Sequence, residues 1–365
     1  MRTVDLKIED VAFGGKGVAR ENGKAVFVPF TIEGELISAK ITREKKQFAE
    51  AEMVDLCGRS RHRIEPPCPY FGRCGGCAYQ HIDYAHQLEI KSRQVGDLLR
   101  RIGKLKEIPV QPIVPSPRNY GYRNRITVHA ENGVIGYFRR DSHRLIDIEH
   151  CPIAMDEVDR ELTDLRSHDL RDGHYTLRAR VDRPLRGRLT RSENAFHHFT
   201  QTNDAVANAL RDLIVQALPP GQQLLVDAFC GTGFFAKALL DKFERIIGID
   251  WDRFAIAAAK ENATEKETYL AGNVDAELYG AMEKCNLDKA SLIVDPPATG
   301  LSPQLRNVVI DLAPARMIYV SCNPATLARD LGDLQARFQI ESVTPLDMFP
   351  QTAEIEVATQ LRRHN

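Results

Sequence analysis

The chain has 365 residues, of which 43% are hydrophobic and 27% are charged, a balance that is ordinary for a soluble globular protein. This length exceeds one average domain, so we expect two or three units, each with its own core. No stretch is long and apolar enough to predict a membrane span, and MRTVDLKIED lacks the apolar run of a secretory signal, which leaves the cytoplasm as the expected compartment.

Charge is unevenly distributed, although the formal net charge is only −1. Residues 88–144 contain 12 Lys and Arg against 5 Asp and Glu, whereas residues 227–356 contain 12 against 20. A polyanion is therefore expected along the basic middle segment, where Lys and Arg can replace condensed counterions. From charge alone, a solvated charged surface is an equally good interpretation.

Short alternating strands separated by glycine-containing turns are predicted in the first 57 residues. They are VDLKIEDVA, GKAVFVPFTI, GELISAKITRE and AEAEMVDL. Several short strands at this spacing predict a small closed barrel. The stretch resembles the TRAM domain, an OB-like RNA-binding barrel whose G.G.A turn corresponds to GGKGVAR here. The residues alone fit another five-stranded barrel equally well.

A cysteine cluster, CPYFGRCGGC, follows the barrel. Cys68, Cys74 and Cys77 are separated by five and two residues, and Cys151 in IEHCPI is a fourth candidate. Cysteines clustered this closely in a cytosolic protein bind zinc or an iron–sulfur cluster far more often than they form disulfides. The spacing leaves the metal open. We expect the site to cross-link the loop after the barrel to the middle of the chain.

A helix is predicted over HQLEIKSRQVGDLLRRIG, ending at Gly103, before a proline-containing segment that marks a boundary. Residues 118–200 are predicted to be rich in strands, with a hairpin about Asn132 and Gly133. From Gln223 onward, alternating strands and helices predict an open parallel sheet with helices on both faces. The expected fold is therefore a multidomain α/β protein.

In LLVDAFCGTGFF, a hydrophobic strand passes through Gly231 and Gly233 into a helix. Glycines there let the backbone approach a ligand closely, at the strand end where open sheets bind ligands. The next strand, RIIGID, ends in Asp250, which can accept hydrogen bonds from a ribose diol. A dinucleotide would fit too, although Ala236 replaces the third glycine of its fingerprint. The later sheet elements and the DPP turn favour S-adenosylmethionine.

Cys322 follows the apolar run RMIYV and opens SCNPATLARDL. Carbon 5 of uracil is too poor a nucleophile to attack a sulfonium methyl group unless a thiolate first adds at carbon 6, and a base must later remove the proton at carbon 5. Cys322 is the candidate thiol. Glu354 and Glu356 are both candidates for the base, because on one strand they would share a face. Each residue also has a purely structural interpretation, as a buried thiol or a solvated glutamate.

Asp295 in VDPPATG ends another predicted strand at the same edge, and two prolines stiffen the turn that follows. Enzymes that methylate exocyclic amines use a similar turn, usually followed by an aromatic residue that stacks on the base. Ala298 stands there and cannot stack. Enzymes that make 5-methylcytosine in RNA typically carry a cysteine in this turn, and none is present here, which favours uracil.

Together these motifs resemble the RNA 5-methyluridine (uracil-5) methyltransferase family, and most closely its bacterial 23S ribosomal RNA branch. The similarity covers essentially the whole length, from the barrel and CPYFGRCGGC through FTQTN and DPPATGL to FPQTAEIE. The resemblance implies a [4Fe-4S] cluster on the four cysteines, Cys322 as the nucleophile and Glu356 rather than Glu354 as the base. The residues it implies for S-adenosylmethionine binding, with the loop positions added, are Gln201, Phe229, Gly231, Gly233, Phe234, Asp250, Asn273 and Asp295.

Three positions depart from the family pattern: Ala298 replaces an arginine, Glu354 a histidine and Phe234 an asparagine. Loss of the arginine removes a cationic fork that could order its loop or contact RNA. A catalytically weakened RNA-binding or ribosome-assembly protein is therefore one alternative, and a tRNA target is another.

The tRNA-modifying branch lacks the barrel and the cluster, so the resemblance implies a ribosomal RNA partner. We expect no membrane contact and a monomeric chain. The predicted domains are a TRAM-like barrel (1–57), a central domain with the cysteine cluster and a basic RNA-facing surface (58–200), and a class I methyltransferase domain (201–365).

Overall fold

The computed structural model describes residues 2–179, 201–261 and 263–364. The chain divides into two compact units. The first comprises Met1–Gln94, Arg118–Asn194 and Phe349–Glu354, and the second comprises Val95–Pro117, Ala195–Met348 and Ile355–Asn365. The predicted strands between residues 180 and 200, and the first two residues of FTQTN, lie outside the described residues. No helix in the described ranges combines the length and apolar character needed to cross a bilayer.

The first unit begins with a closed barrel of five strands, as predicted. In chain order these are β1 (Thr3–Val11), β2 (Lys16–Glu21), β3 (Lys24–Pro29), β4 (Leu36–Glu44) and β5 (Phe48–Gly58). The order around the barrel is β1-β2-β3-β5-β4, and β4 pairs with β1 to close it. Alternating residues such as Ile8, Val26 and Ile37 fill the interior. Gly14 and Gly15, with φ of 93° and 85°, form the predicted glycine turn between β1 and β2, but the rest of GGKGVAR belongs to β2.

The predicted helix forms α1 (Tyr84–Arg101), with Arg100 and Arg101 in its last turn. Cationic side chains there interact favourably with the negative end of the helix dipole. The helix runs from the first unit into the second, since the boundary falls after Gln94. It ends before Gly103, and the left-handed residue that follows it is Lys104, with φ of 52°.

A four-stranded antiparallel sheet and one helix form a second core in the first unit. The elements are β6 (Arg125–Glu131), β7 (Val134–Phe138), β8 (Leu145–Asp147), α2 (Asp156–Arg166) and β9 (Gly173–Arg178). The predicted hairpin is confirmed, because Asn132 and Gly133 join β6 to β7 with φ of 51° and 78°. Helix α2 was not predicted, although Val158, Leu162 and Leu165 are buried at helical spacing.

A seven-stranded sheet forms the centre of the second unit. Its strands are β10 (Gln222–Ala228), β11 (Phe243–Asp250), β12 (Glu267–Ala271), β13 (Ala290–Val294), β14 (Arg316–Ser321), β15 (Phe338–Leu346) and β16 (Glu356–Arg363), in the order β12-β11-β10-β13-β14-β16-β15. The first five are parallel, whereas β16 runs antiparallel to both of its neighbours. The predicted open sheet is confirmed, with the last two strands forming its antiparallel part, whereas β12 was missed.

One helix precedes the first strand of this sheet, and the others follow later strands. They are α3 (Asp204–Ala217), α4 (Phe234–Ala238), α5 (Arg253–Glu261), α6 (Val274–Met282), α7 (Pro303–Leu312) and α8 (Pro324–Leu334), with a short 3₁₀ turn at Leu287–Lys289. The side chains of Asn203, Asn273, Ser302 and Asn323 each accept a backbone N–H in the first turn of the helix they cap. Because the five parallel strands share one direction, their following loops meet at one edge of the sheet.

Candidate active site

A cavity of about 200 Å³ lies at this edge of the sheet. Five of the residues expected to bind the cofactor line it: Gln201, Phe229, Gly231, Phe234 and Asp295. Gly233, Asp250 and Asn273 do not line it. The sequence reasoning missed other lining residues, namely Asp204, Asn208, Cys230, Thr232 and Phe235. Asp204 and Asn208 lie one turn apart on α3 directly after the FTQTN motif, a spacing that could have identified them.

The loop after β10 has an unusual backbone conformation. Phe229, Gly231 and Gly233 have φ of 65°, 53° and 82°. For the non-glycine residue Phe229, this left-handed conformation costs roughly 1–2 kcal/mol. A Cβ atom added to Gly233 would lie 2.4 Å from the hydroxyl oxygen of Tyr269, so this position requires glycine for space as well as for conformation. Gly233 caps α4 without lining the cavity, and its role is to shape the loop.

Asp250 ends β11 and braces the same loop. One of its carboxylate oxygens accepts a hydrogen bond from Gly231 N at 2.8 Å, and the other accepts one from Asp252 N at 2.8 Å. Each oxygen retains a second lone pair that can accept from a ribose hydroxyl. Asn273 instead caps α6, where its side chain accepts from Asp275 N at 3.0 Å. Both residues therefore shape the edge of the sheet around the cavity.

Two further carboxyl groups at this edge have raised pKa values. Burial raises the pKa of Asp227 to about 8, and the charges of Asp295 and Asp250 add to the effect. Part of Asp295 reaches the cavity, but protein atoms surround its carboxyl, and burial followed by the charge of Asp250 raises its pKa to about 7. One oxygen of Asp227 accepts from Ala236 N at 3.1 Å, while the other has no hydrogen-bond partner among the described residues. A cationic ligand would relieve this repulsion.

The sheet brings Cys322 and Glu356 to the same edge. Strand β14 ends at Ser321, which pairs with Val357 in antiparallel register. Cys322 directly follows this last residue pair and Glu356 directly precedes it, so both residues lie at the same end of the β14–β16 ladder. Cys322 is partly exposed, whereas Glu356 is 3% exposed.

The expectation that Glu354 and Glu356 share a strand was wrong. Strand β16 begins at Glu356, and Glu354 lies in the preceding turn, where its N–H donates to Thr352 Oγ1 at 3.2 Å. Its side chain is exposed. The proline at position 350 and the left-handed residue at position 351 delay the start of the strand, so the alternation of side chains does not extend back to Glu354. Burial and register therefore distinguish the two glutamates, which spacing did not.

The turn that follows Asp295 is ordered without an arginine at position 298. The carbonyl oxygen of Ala298 accepts hydrogen bonds from Asn323 Nδ2 and Thr326 Oγ1, both at 3.0 Å. Arg329 Nη2 donates to Thr299 O at 2.9 Å. All three donors come from the segment that starts directly after Cys322, so the turn and the thiol are held together.

The four clustered cysteines line a second cavity, of about 270 Å³, in the first unit. None of the chain's eight cysteines, all of which are described, forms a disulfide. Burial raises the pKa of Cys77 to about 12 and of Cys151 to about 11, and it also raises the pKa of Cys74. Within the described residues no three His, Cys, Asp or Glu side chains are arranged as a set of metal ligands. The four thiols therefore line one cavity without forming a set of metal ligands.

Hydrogen-bond donors surround these sulfur atoms. Gly76 N donates to Cys74 Sγ at 3.4 Å, and the side chain of Gln80 is hydrogen-bonded to Cys77. Backbone N–H groups of residues 153 and 154 and the hydroxyl of Tyr137 reach Cys151. Such donors stabilise cysteine sulfur when it carries negative charge, as it does on a metal. The chemistry of this donor set fits an iron–sulfur cluster or zinc.

Comparisons with known proteins agree with this geometry. The family model described as tRNA (Uracil-5-)-methyltransferase matches residues 182–364, and the TRAM domain model matches residues 1–54. An uncharacterized RNA methyltransferase of Bdellovibrio bacteriovorus is 33% identical over 378 residues, which cover 98% of this chain and 95% of the relative. One of Gloeobacter violaceus is 31% identical over 448 residues, covering 99% and 97%.

A solved structure has the same fold over the whole chain. It is the Pyrococcus abyssi tRNA (uracil-54, C5)-methyltransferase in complex with S-adenosyl-L-homocysteine, with a TM-score of 0.72 at 24% identity, covering 98% of this chain and 100% of that chain. The predicted combination of barrel and methyltransferase fold is confirmed. The chain belongs to the tRNA (uracil-5-)-methyltransferase family, and it is an S-adenosylmethionine-dependent RNA uracil-5 methyltransferase.

Proposed function

We propose that the enzyme methylates carbon 5 of a uridine in structured RNA through a covalent adduct with Cys322, and that Glu356 is the base that resolves it. The observation that carries the proposal is the register of β14 and β16. Cys322 and Glu356 flank the last residue pair of these strands, Ser321 and Val357, at the edge of the sheet that holds the cofactor cavity, and this supports their proposed joint role. A nucleophile and a base in such proximity can act on adjacent atoms of one ring.

The proposed reaction has three steps. The thiolate of Cys322 attacks carbon 6 and forms the S–C6 bond, which moves the ring's π electrons toward carbon 5 and the carbonyl oxygen. Carbon 5 then attacks the methyl group of S-adenosylmethionine, the methyl–sulfonium bond breaks, and S-adenosylhomocysteine leaves. Finally the carboxylate of Glu356 takes the proton from carbon 5, the C5=C6 double bond re-forms, and the S–C6 bond breaks to release the thiolate.

RNA that carries 5-fluorouridine at the target tests this mechanism. Fluorine cannot leave carbon 5 as a proton does, so the last step stops, and we expect an adduct that survives denaturation and requires S-adenosylmethionine. Cys322→Ala should form none, whereas Glu356→Gln should accumulate adduct even on ordinary RNA. Absence of the adduct from protein that demonstrably binds the cofactor would contradict the proposal.

For the target, we propose 23S ribosomal RNA, with tRNA as the second candidate. Support for the first is the motif-level resemblance to the ribosomal branch. The second is favoured by the Pyrococcus abyssi protein, which is named a tRNA methyltransferase and matches 98% of this chain, so the barrel does not by itself decide the target. Nucleoside mass spectrometry of 5-methyluridine in each purified RNA, from cells with and without the protein, distinguishes the two.

We also propose that Cys68, Cys74, Cys77 and Cys151 hold a [4Fe-4S] cluster. Four thiols in one cavity, with N–H and O–H donors directed at their sulfurs, support it. The cluster would supply positive charge that offsets the burial of the thiolates and would tie residues 68–77 to residue 151. Anaerobic purification should give a brown protein with about four iron atoms per chain. A colourless protein containing one zinc ion would overturn the assignment.

A further inference from the structure

The turn that leads into β16 is held by an unusual concentration of buried hydrogen bonds. It is the segment Phe349–Glu354, which belongs to the first unit, whereas Glu356 itself belongs to the second. Gln351 lies at its centre, 1% exposed and in the left-handed region with φ of 69°. A non-glycine residue in this conformation persists only where its surroundings enforce it.

Every hydrogen-bonding group of Gln351 has a partner inside the first unit. Its carbonyl oxygen accepts from Ala78 N at 3.0 Å and Tyr79 N at 2.9 Å. Its side-chain Nε2 donates to the carbonyl oxygen of Asn119 at 3.3 Å. Its remaining two groups bond to Gln87, which is fully buried on α1: Gln351 N donates to Gln87 Oε1 at 3.2 Å, and Gln87 Nε2 donates to Gln351 Oε1 at 3.0 Å.

The two carbonyl groups that precede Gln351 are also bonded by buried side chains. Lys91 Nζ donates to Phe349 O at 3.0 Å, and the hydroxyl of Tyr122 donates to Pro350 O at 3.0 Å. Lys91 is fully buried, which is costly for a cation unless it is well bonded. Such an arrangement is much more than a surface turn requires, since exposed turns satisfy these groups with water.

We propose that Gln87 and Gln351 are positioning residues for the base. They fix the turn from which the chain enters β16, and thereby set where the carboxylate of Glu356 stands relative to carbon 5 of the uridine. This inference rests on the proposed role of Glu356. A general base must come within about 2.6–3.2 Å of the atom that carries the proton, and a displacement of about 1 Å can lower the rate about 100-fold.

The sequence of the reaction steps predicts a specific kinetic defect when this positioning role is lost. Glu356 acts only after the S–C6 bond has formed and the methyl group has been transferred, so a displaced base slows release and leaves methylated RNA attached to Cys322. A general loss of folding would instead lower adduct formation and turnover together. The test is therefore the amount of enzyme–RNA adduct on ordinary, unfluorinated RNA, measured by denaturing electrophoresis during steady-state turnover.

Two variants remove the amide pair. Gln351→Asn keeps a residue that tolerates the left-handed backbone but shortens the side chain beyond reach of Gln87, and Gln87→Ala removes the partner. We expect turnover to fall about 10- to 100-fold in each, with adduct accumulating and cofactor affinity changing less than twofold. The double variant should lose less than the product of the two single effects, because both variants remove the bond from Gln87 Nε2 to Gln351 Oε1.

The matched control is Gln94→Ala. Gln94 is also a buried glutamine on α1, but its side chain donates to Val11 O at 2.8 Å and to the Tyr79 hydroxyl at 3.1 Å, and among the described residues neither bond reaches the turn. It should show neither effect. Unchanged turnover in Gln351→Asn, or parallel loss of turnover and adduct in a variant with normal cofactor binding, would overturn the inference. If wild-type enzyme forms no adduct on 5-fluorouridine RNA, the proposed function fails instead.

Discussion

The cofactor cavity and the four-cysteine cavity are similar in size, about 200 and 270 Å³, and burial raises the pKa of ionisable groups at both, to near neutrality in the first and well above it in the second. In the first, burial raises the pKa of Asp295 to about 7. In the second, burial raises the pKa of Cys77 to about 12 and of Cys151 to about 11, so these thiols stay protonated at neutral pH.

This difference shows what each cavity requires from its ligand. Asp295 lines the first cavity, and a cationic cofactor only has to displace a proton with a pKa of about 7 there. If the cysteines hold the proposed cluster, their thiols must lose protons that burial holds much more tightly, and the charge of the metal would favour that loss. We therefore expect the second unit to bind its cofactor without assistance and the first to depend on a metal for its stability.

Removal of the catalytic thiol should have the largest effect. Cys322→Ala is expected to lower methyl transfer at least about 1,000-fold, because carbon 5 of uracil is then never activated. Cofactor affinity, measured by calorimetry, should change less than twofold, since Cys322 does not line the cofactor cavity. Substantial remaining activity would show that methylation proceeds without the adduct.

Substitutions in the cysteine cavity should lower the stability of the first unit rather than act on the methyl-transfer reaction directly. Cys77→Ser and Cys151→Ser are each expected to lose bound metal and to lower the free energy of unfolding of the first unit by about 4 kcal/mol or more. The matched control is Cys57→Ser, because Cys57 is exposed and outside the cavity. Metal analysis and denaturant unfolding provide the measurements. Normal stability in a metal-free variant would contradict the dependence on a metal.

The sequence revealed the two cavities to different degrees, for a physical reason. The loop at Gly231 and Gly233 is local, since a strand, a left-handed turn and a helix are consecutive, so its motif predicted the position of the cavity. Cys77 and Cys151 are brought together by tertiary structure, and spacing gave only a candidate set. The candidate thiol Cys322 was identified from its place after a strand. Glu356 was preferred to Glu354 only through the family resemblance, because spacing could not show that β16 begins at Glu356.

Two of the strands that were missed have few buried residues. Strand β12 has only Glu267 and Tyr269 buried, too few to show a period, and β2 has only Gly17 and Ala19 buried. The raised pKa of Asp227 could not be predicted from the sequence either, because it arises from burial and from the charges of residues on other strands. Long-range proximity, rather than local propensity, accounts for most of what was not predicted.

Cofactor affinity should depend moderately on pH, which separates the cofactor cavity further from the cysteine cavity. Because its pKa is raised to about 7, Asp295 loses its proton more readily when a cation binds, so cofactor affinity should rise about tenfold between pH 6 and pH 8. Without cofactor, the free energy of unfolding changes with pH in the opposite direction. The folded state holds these protons more tightly than the unfolded chain, so their stabilising contribution is full below the ordinary aspartate pKa of 3.8, falls as pH rises above it, and is lost once pH has passed 7 and 8.

Calorimetric titrations and thermal melts at each pH measure both trends. Asp295→Asn should weaken cofactor binding and flatten its pH dependence, because an amide has no proton to lose. The shift in melting temperature caused by the cofactor should be larger at pH 8 than at pH 6 in the wild type. An affinity that is constant over this range would show that the carboxyl groups are already ionised before the cofactor binds.

The smallest effect is expected from restoring the family's arginine. The turn after Asp295 is already held by Asn323, Thr326 and Arg329, and Ala298 is exposed, so Ala298→Arg should change stability by less than about 0.5 kcal/mol. Turnover on a saturating RNA should then change less than about threefold, which corresponds to less than about 0.7 kcal/mol. A new cation at this edge can still contact phosphate, and in that case the Michaelis constant for RNA falls and its salt dependence steepens while kcat stays constant. A large rise in kcat would instead mean that the three donors do not order the turn in solution. The cofactor cavity would then, like the cysteine cavity, depend on a ligand to reach its ordered form.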